Sequence, residues 1–403
     1  MKHFFEKNKK NPWFWAFFTL ITVTLFALPI MSKDAGNSGD EDGFQVPQGR
    51  NIVNYFKTNG EDTTCMSFQN LKYYGSSPDV IAEYWNRTFK VEDISQTRHI
   101  FNSLYGWLAL LFAGLTAYLI GGWRAGVLTV LLLFFSPRFL GHSFNNSKDI
   151  PFAAAVMAAI YFMTLFFKQF PKVKIYTLIL LTLFIAFAIS VRIGGVLLYA
   201  YFGLFGLIFL IIDYRKNRVP GSKVKSTPSP RRRGRFSILN SQFFKLLLYG
   251  LGVAIVSYFL GILLWPYALQ SPVKNPLEAF GEMSNFAVGI RQLFEGEIQW
   301  SDMLPWYYTP KFVLITIPIA VIAGLLLFFA FLWKDKKNYF NYFIIFFTFF
   351  FPIFWIVYTN ANVYGGWRHS LFAYPPMVVA AGLGFNLAIE WVAQKVVKEN
   401  RNP

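Results

Sequence analysis

The chain has 403 residues, of which 55% are hydrophobic, 20% aromatic and only 15% charged. A soluble protein of this length could not cover so much apolar surface, so the composition excludes a soluble enzyme and points to an all-α polytopic membrane protein. The net charge of +17 must then reflect membrane topology and contact with anionic lipid before any nucleic acid is invoked.

MKHFFEKNKK opens the chain and precedes a first apolar stretch at about 13–31. It resembles a secretory signal, but PIMSKDAG follows without an A-x-A site, so a retained signal anchor is expected. A long polar loop at 32–100 comes next and carries GDEDGF and the single cysteine, Cys65. One cysteine allows neither an internal disulfide nor a Cys-based metal site. Stretches near the roughly 20 residues that a bilayer core requires follow at about 102–120, 123–140, 151–167, 174–191 and 193–212. The break at Ser190-Val191-Arg192-Ile193-Gly194-Gly195 puts a charge and two glycines between the last two, which suits a tight hairpin. A basic loop at 213–242 contains RKNRVPGSKVKSTPSPRRRGRF, a Pro/Ser-rich linker expected to lie solvated near lipid headgroups. Further stretches at about 243–264, 311–333, 339–358 and 371–394, with a second polar loop at 265–310, bring the expectation to ten spans in one transmembrane domain, 1–403. Neither a solenoid period nor an inverted repeat is visible.

Charge checks this division independently. With the N-terminus inside, the short inside segments hold 24 of the 38 Lys and Arg, whereas the outside segments hold 16 of the 21 Asp and Glu. The bias satisfies the positive-inside rule at every crossing, so both chain ends are expected to be cytoplasmic.

On this topology four polar clusters fall outside. They are Asp40, Glu41 and Asp42; then Arg138, His142, Lys148 and Asp149; then Arg192; and finally Arg368 and His369 in YGGWRHSLF. Acids and bases converging at one interfacial depth could bind a phosphate and abstract a proton. Each has a plainer reading. Three acids in a Gly/Ser-rich loop are often only solvated; Asp149 or Ser147, ahead of Pro151, is a natural helix N-cap; interfacial Arg and His anchor to headgroups; and Trp306 and Tyr307 in LPWYYTPKF suit an aromatic belt.

The order of SPRFLGHSFNNSKDIPF, LWPYALQSPVKNPLEAF, LFEGEIQWSDMLPWYYTPKF and YGGWRHSLFAYPPMVVAAGLG, after a first loop with an acidic pair, extends over most of the chain. It resembles the lipid-carrier-dependent glycosyltransferases of the GT-C fold, the group of the bacterial protein O-mannosyltransferases and the aminoarabinose transferase of lipid A. The resemblance implies a GT-C-like bundle whose outside loops carry short helices. It also implies a polyprenyl-phosphate sugar donor, and an acceptor hydroxyl on protein, lipid or glycan. Asp40 would be the base, with Glu41 and Asp149 orienting acceptor or cations. Arg192, Arg368 and Lys148 would neutralise the departing phosphate, with Arg138, His142, Trp306, Tyr307 and His369 lining the substrate site. A divalent cation among the acids is left open, and no nucleic-acid partner is implied. The rival reading is a flippase or exporter of lipid-linked glycans, which would need polar residues through the middle of its spans. The family often has more spans than ten, and the third acid, Asp42, leaves the register of the base open.

Overall fold

The computed structural model describes residue 6 and residues 8–216, 231–284 and 288–399. Helix α1 (Pro12–Ser32) begins where Asn11 accepts the Trp13 N–H and Pro12 takes the first turn, a start that uses two of the standard N-terminal signals. Phe14, Phe17, Ile21 and Leu28 bury one side of it, while Phe26 and Ile30 stay open for lipid.

After the first long loop, α4 (Ile94–Phe134) runs for 41 residues, about twice the length that a bilayer core needs. It is not one rod. Gly122 breaks it with φ 83 and ψ 178, a left-handed backbone that favours glycine. Beyond the break Gly126 and Val130 return to pack against Gly114, so the chain doubles back. Helix α6 (Asp149–Gln169) is the centre of the bundle, 89% buried over its apolar window, and α4, α7 (Ile175–Val191) and α8 (Leu197–Lys216) pack around it. Helix α15 (Tyr374–Glu399) is held almost as deeply. Its Gly382 meets Thr129 and its Gly384 meets Gly324 of α13 (Ile319–Phe331), the close approach that small residues allow between helices in lipid. Helix α9 (Arg231–Ile262) is the opposite case, only 11% buried over its window.

Among the described residues seven helices are long and apolar enough to cross a membrane, or eight if the bent pair α12 (Tyr308–Thr316) and α13 counts as one span. The expected ten is not reached on that measure. The stretch at 102–120 and the first part of that at 123–140 are the two legs of the helix broken at Gly122 and are counted once, the rest of the second stretch runs into the following helix, and the stretch at 174–191 yields a 17-residue helix. Arg192 does divide 174–212, with extended φ −146 and ψ 138. The loop after α1 forms a π-helical turn (Glu41–Gln45), α2 (Val46–Lys57) and α3 (Ser77–Phe89). The later one holds α10 (Pro266–Gln270), α11 (Lys274–Ser284) and a β-hairpin of β1 (Arg291–Phe294) and β2 (Glu297–Trp300), paired Leu293 to Ile298. The hairpin corrects the all-helical expectation for that loop. Of the basic loop, residues 217–230 lie outside the described residues.

Two ends of the bundle can be told apart. At one, the Trp123 indole donates to Asn8 and Arg124 pairs with Asn386 and Glu390, which gathers the two chain termini. At the other lie α5 (Pro137–Asn145), the starts of α4 and α6, the end of α7 and a 3₁₀ turn (Arg368–Ala373). The remaining span, α14 (Tyr339–Tyr358), flanks that turn and α15.

Candidate active site

The first turn of α6 is capped by Asn146. Its Oδ1 accepts the Asp149 N–H at 2.9 Å while its Nδ2 donates to Asp149 Oδ2 at 2.8 Å. This corrects the expectation that Asp149 or Ser147 is the cap. The Asp149 carboxylate, 3% exposed, has further partners. Its Oδ1 accepts from Arg192, and its Oδ2 lies 3.8 Å from Arg368 Nε.

Arg368 reaches this point from a turn that only glycine adopts readily, Gly365 and Gly366 having φ 67 and 70. Arg138 braces the turn, donating to the Gly365 carbonyl at 2.5 Å and resting 5.2 Å from the Trp367 ring centroid. Arg368 Nη2 then donates to Asp40 Oδ2 at 2.6 Å. Asp40, Arg368, Asp149 and Arg192 thus form one row of alternating charge contributed by four separate stretches of chain. Lys148 stands beside it with its ammonium 3.8 Å from the Tyr74 ring centroid. Burial first, then the Arg192 charge, pushes Lys148 down to about 8.

A cavity opens on each flank of the row. One, of about 480 Å³, is lined mainly by polar residues, among them Asp40, Arg368, Gln45, His142 and Asn146. The other, also about 480 Å³, has Arg192 and His369 at its head and Phe152, Phe351, Trp355 and Phe372 along its apolar wall. His369 Nδ1 is buried there without a hydrogen-bond partner. His142 Nδ1 lies 3.1 Å from Asn146 Nδ2, and burial lowers its pKa.

Other expected site residues lie elsewhere. Trp306 is 66% exposed and touches Tyr307, whose hydroxyl donates to Glu295 at 3.3 Å. Neither lines either cavity. Glu41 points away from its neighbour Asp40 into a buried network. It accepts from Arg98 Nε at 3.3 Å and lies 3.0 Å from His99 Nε2. Arg98 Nη2 also reaches Asp79 at 2.5 Å and Ser147 at 3.2 Å, and Ser147 in turn donates to Asp79 and Gln45. Burial raises the Asp79 pKa against the pull of Arg98. Asp42 accepts from Asn37 and lines a surface cavity with Arg50 and Asp93. Of the three loop acids only Asp40 meets the row.

Arg98, Asp79, His99 and Ser147 were not anticipated. Arg98 looks locally like any basic residue at the start of a span, and its partners lie 57, 19 and 49 residues away. The buried polar character of Asp79 and Ser147 has no sequence period to reveal it.

Among the described residues no group of three His, Cys, Asp or Glu is placed to hold a metal ion. Asp40 and Asp149 each spend their charge on a guanidinium, so the donor set does not fit a divalent site, and no step below passes through one.

The chain is thus a bundle of long apolar helices with one charged row at the ends of its spans, between two cavities. Residues 81–265, which carry Arg98, Lys148, Asp149 and Arg192, match the model of the PMT family, dolichyl-phosphate-mannose-protein mannosyltransferase. The fold is similar to that of ArnT from Cupriavidus metallidurans bound to undecaprenyl phosphate, with a TM-score of 0.54 at 12% identity over 91% of this chain and 59% of that one. It is also similar to the oligosaccharyltransferase AglB from Archaeoglobus fulgidus in complex with an inhibitory peptide and a dolichol-phosphate, with a TM-score of 0.57 at 12% identity over 98% of this chain and 52% of that one. The chain therefore spans little more than half the length of these proteins. No curated protein sequence matches it. Asp40, Arg368 and His369 lie outside the segment matched by the family, so their grouping rests on geometry alone.

Proposed function

We propose that this protein is a glycosyltransferase that moves a sugar from a polyprenyl-phosphate donor to an acceptor hydroxyl at the outer face of the membrane. The observation that carries this reading is the row Asp40, Arg368, Asp149, Arg192 set between two cavities, one lined mainly by charged and amide side chains and the other mainly by aromatic and aliphatic ones. An apolar cavity headed by Arg192 and His369 suits an isoprenoid phosphate, with the tail against Phe351 and Phe372 and the phosphate toward the cations. The polar cavity at Asp40 suits an acceptor hydroxyl. ArnT and AglB, which share the fold, were solved with undecaprenyl phosphate and with a dolichol-phosphate, and this supports the donor class.

In the proposed step the acceptor oxygen attacks the anomeric carbon, its proton passes to the Asp40 carboxylate, and the bond from that carbon to the phosphate oxygen breaks with inversion. The leaving phosphate carries away the electron pair. Arg192, Arg368 and the Lys148 ammonium are positioned to balance it, with guanidinium groups suited to paired oxygen contacts. Asp149 orients the two arginines. Glu41 acts at one remove, because its clamp to Arg98 fixes the backbone that carries Asp40, while Ser147 ties the same clamp to Lys148 and Asp149. The excess of Lys and Arg in the presumed inside segments supports an integral plasma membrane location, the bacterial inner membrane, with both termini inside and the site facing outward. Flipping of a lipid-linked glycan is less well supported, since the charged rows sit at the two ends of the bundle.

The test uses the purified protein in nanodiscs with a polyprenyl-phosphate sugar and follows release of polyprenyl phosphate. Asp40→Asn is expected to lower turnover at least a hundredfold, at the lower end of what a general base contributes (roughly 10²–10⁴), while still binding polyprenyl phosphate. Normal turnover in Asp40→Asn would remove the assigned base.

A further inference from the structure

Arg368 is presented by a turn that does not hold itself. Gly365 and Gly366 both have positive φ, and a Cβ on Gly366 would lie 2.6 Å from Arg138 Nη2. Glycine is therefore required here, and it is the residue with the most backbone freedom to lose. A guanidinium that has to meet Asp40 and Asp149 together needs that freedom removed from outside.

The hairpin and α12 remove it. Gln292 of β1 accepts the Gly365 N–H on Oε1 at 2.7 Å, while its Nε2 donates to the Arg291 carbonyl at 2.7 Å, which assigns the oxygen end of the amide to the turn. The Tyr308 hydroxyl, at the start of α12, accepts the Gly366 N–H at 3.0 Å and donates to the same Gln292 Oε1 at 3.4 Å. Two backbone amides, one hydroxyl and one amide oxygen thus close a ring in which every proton has an acceptor. Tyr308 is 2% exposed, so a Gly366 N–H left unmet beside it would be costly. In the last turn of α12 the Thr316 hydroxyl oxygen accepts from the Trp367 indole at 2.7 Å. The hairpin is itself seated on α12: the Phe294 ring centroid lies 5.0 Å from that of Tyr308 and 5.8 Å from that of Phe312, and Glu295 pairs with Lys311. Gln292 and Tyr308 line neither cavity beside the charged row, so their service to the row runs through the turn.

We propose that Gln292 and Tyr308 are positioning residues: through the amides of Gly365 and Gly366 they hold Arg368 at the place from which it bridges Asp40 and Asp149. The hairpin and α12 act on the charged row as a splint. The effect on turnover rests on the reaction assigned above, whereas the hold on the turn does not.

The two glycine amides report on the hold directly. Tyr308→Phe keeps the ring against Phe294 and removes only the hydroxyl, Gln292→Leu removes the acceptor on the other side, and Gln292→Glu puts an acceptor oxygen back. In nanodiscs, hydrogen exchange followed by mass spectrometry on peptides that cover 363–368 should run about tenfold faster in Tyr308→Phe and in Gln292→Leu than in the parent, the effect of losing roughly one hydrogen bond, and close to the parent rate in Gln292→Glu. With a polyprenyl-phosphate sugar, kcat should fall about tenfold or more in the same two variants, because Arg368 is misplaced at the reacting centre. KM for the donor should stay within about threefold, because Arg192 and the apolar wall still bind it, and Gln292→Glu should recover most of kcat. Parent-like exchange in both variants would overturn the hold on the turn. Faster exchange with a parent-like kcat, or with a raised KM alone, would overturn the positioning of Arg368. A parent protein that never turns the donor over would sink the assigned reaction, and the exchange rates would still decide whether Gln292 and Tyr308 hold the turn.

Discussion

Replacing Asp149 by Asn separates the charge of this residue from its shape. The helix cap should survive, because Asn146 Oδ1 still accepts the Asp149 backbone N–H and an amide oxygen at position 149 can accept from Asn146 Nδ2 as the carboxylate does. What disappears is the anionic partner of Arg192 and the longer of the two carboxylate contacts to Arg368, 3.8 Å against 2.6 Å from Asp40. Losing a charge-assisted hydrogen bond at a buried carboxylate costs about 1.5–3 kcal/mol, and partial exposure of the two arginines keeps the loss below the roughly 3–5 kcal/mol of a fully buried broken pair. A second effect has the opposite sign. At an effective dielectric constant of about 20, a unit charge roughly 8 Å from an incoming anion repels it by about 2 kcal/mol, so removing it should tighten polyprenyl phosphate binding by up to about thirtyfold. Asp149→Asn should therefore melt lower than the parent without ligand, gain more melting temperature than the parent on adding polyprenyl phosphate, and lose most transfer activity. Thermal unfolding in detergent with and without polyprenyl phosphate, beside turnover in nanodiscs, reads all three. A variant with unchanged melting, unchanged ligand shift and full turnover would refute the assignment of Asp149 to the charged row.

Arg98 should be the most stability-critical cation of the site: Arg98→Met leaves Glu41 and Asp79 buried without their partner, at a cost of roughly 3–5 kcal/mol, and a melting temperature within 2 °C of the parent would contradict the clamp. Lys148 gives a pH signature. Its folded pKa of about 8, below the usual 10.5, means that the free protein loses this cation as pH rises through about 8, so polyprenyl phosphate binding should weaken there, and Lys148→Arg should move the loss to higher pH; an identical profile in the two proteins would exclude the Lys148 ammonium from the phosphate site. The same depressed value makes the buried ammonium unfavourable to folding below about pH 8, and stability should rise from there toward pH 10.5 as the unfolded chain alone stays protonated. Arg192→Ala should weaken polyprenyl phosphate binding by roughly 2–5 kcal/mol with normal membrane yield, and normal binding would return Arg192 to the role of a headgroup anchor.

The apolar stretches were legible because bilayer thickness imposes a length and an apolar composition that a sequence cannot disguise. Gly122 and the Arg192 break were legible for the same reason, as interruptions of that pattern. Asp40, Asp149, Arg192 and Arg368 could be singled out one by one as charges at span ends, and the structure brings them into one row. Their pairing could not be read, because Asp40 and Arg368 stand 328 residues apart and no period links them. The separate fates of Asp40 and Glu41 were hidden for a local reason: the π-helical turn at Glu41–Gln45 aims neighbouring side chains to different partners. Trp306 and Tyr307 keep clear of both cavities. The β-hairpin was missed because RQLF and EIQW are only four residues each, too short for alternation to stand out. Cys65 also differs from a convenient surface thiol, being packed with Ile52, Val53 and Val80.

The central claim is that an isoprenoid phosphate enters the apolar cavity with its phosphate at the cations of the row. The most direct measurement is an electron-density map of the protein in nanodiscs saturated with polyprenyl phosphate. The account predicts phosphate density within hydrogen-bond reach of Arg192, with Arg368 or His369 as a second contact, and chain density running along Phe351 and Phe372. Phosphate density at the surface cavity of Arg50, Asp42 and Asp93, or an apolar cavity that stays empty at saturation, would contradict it.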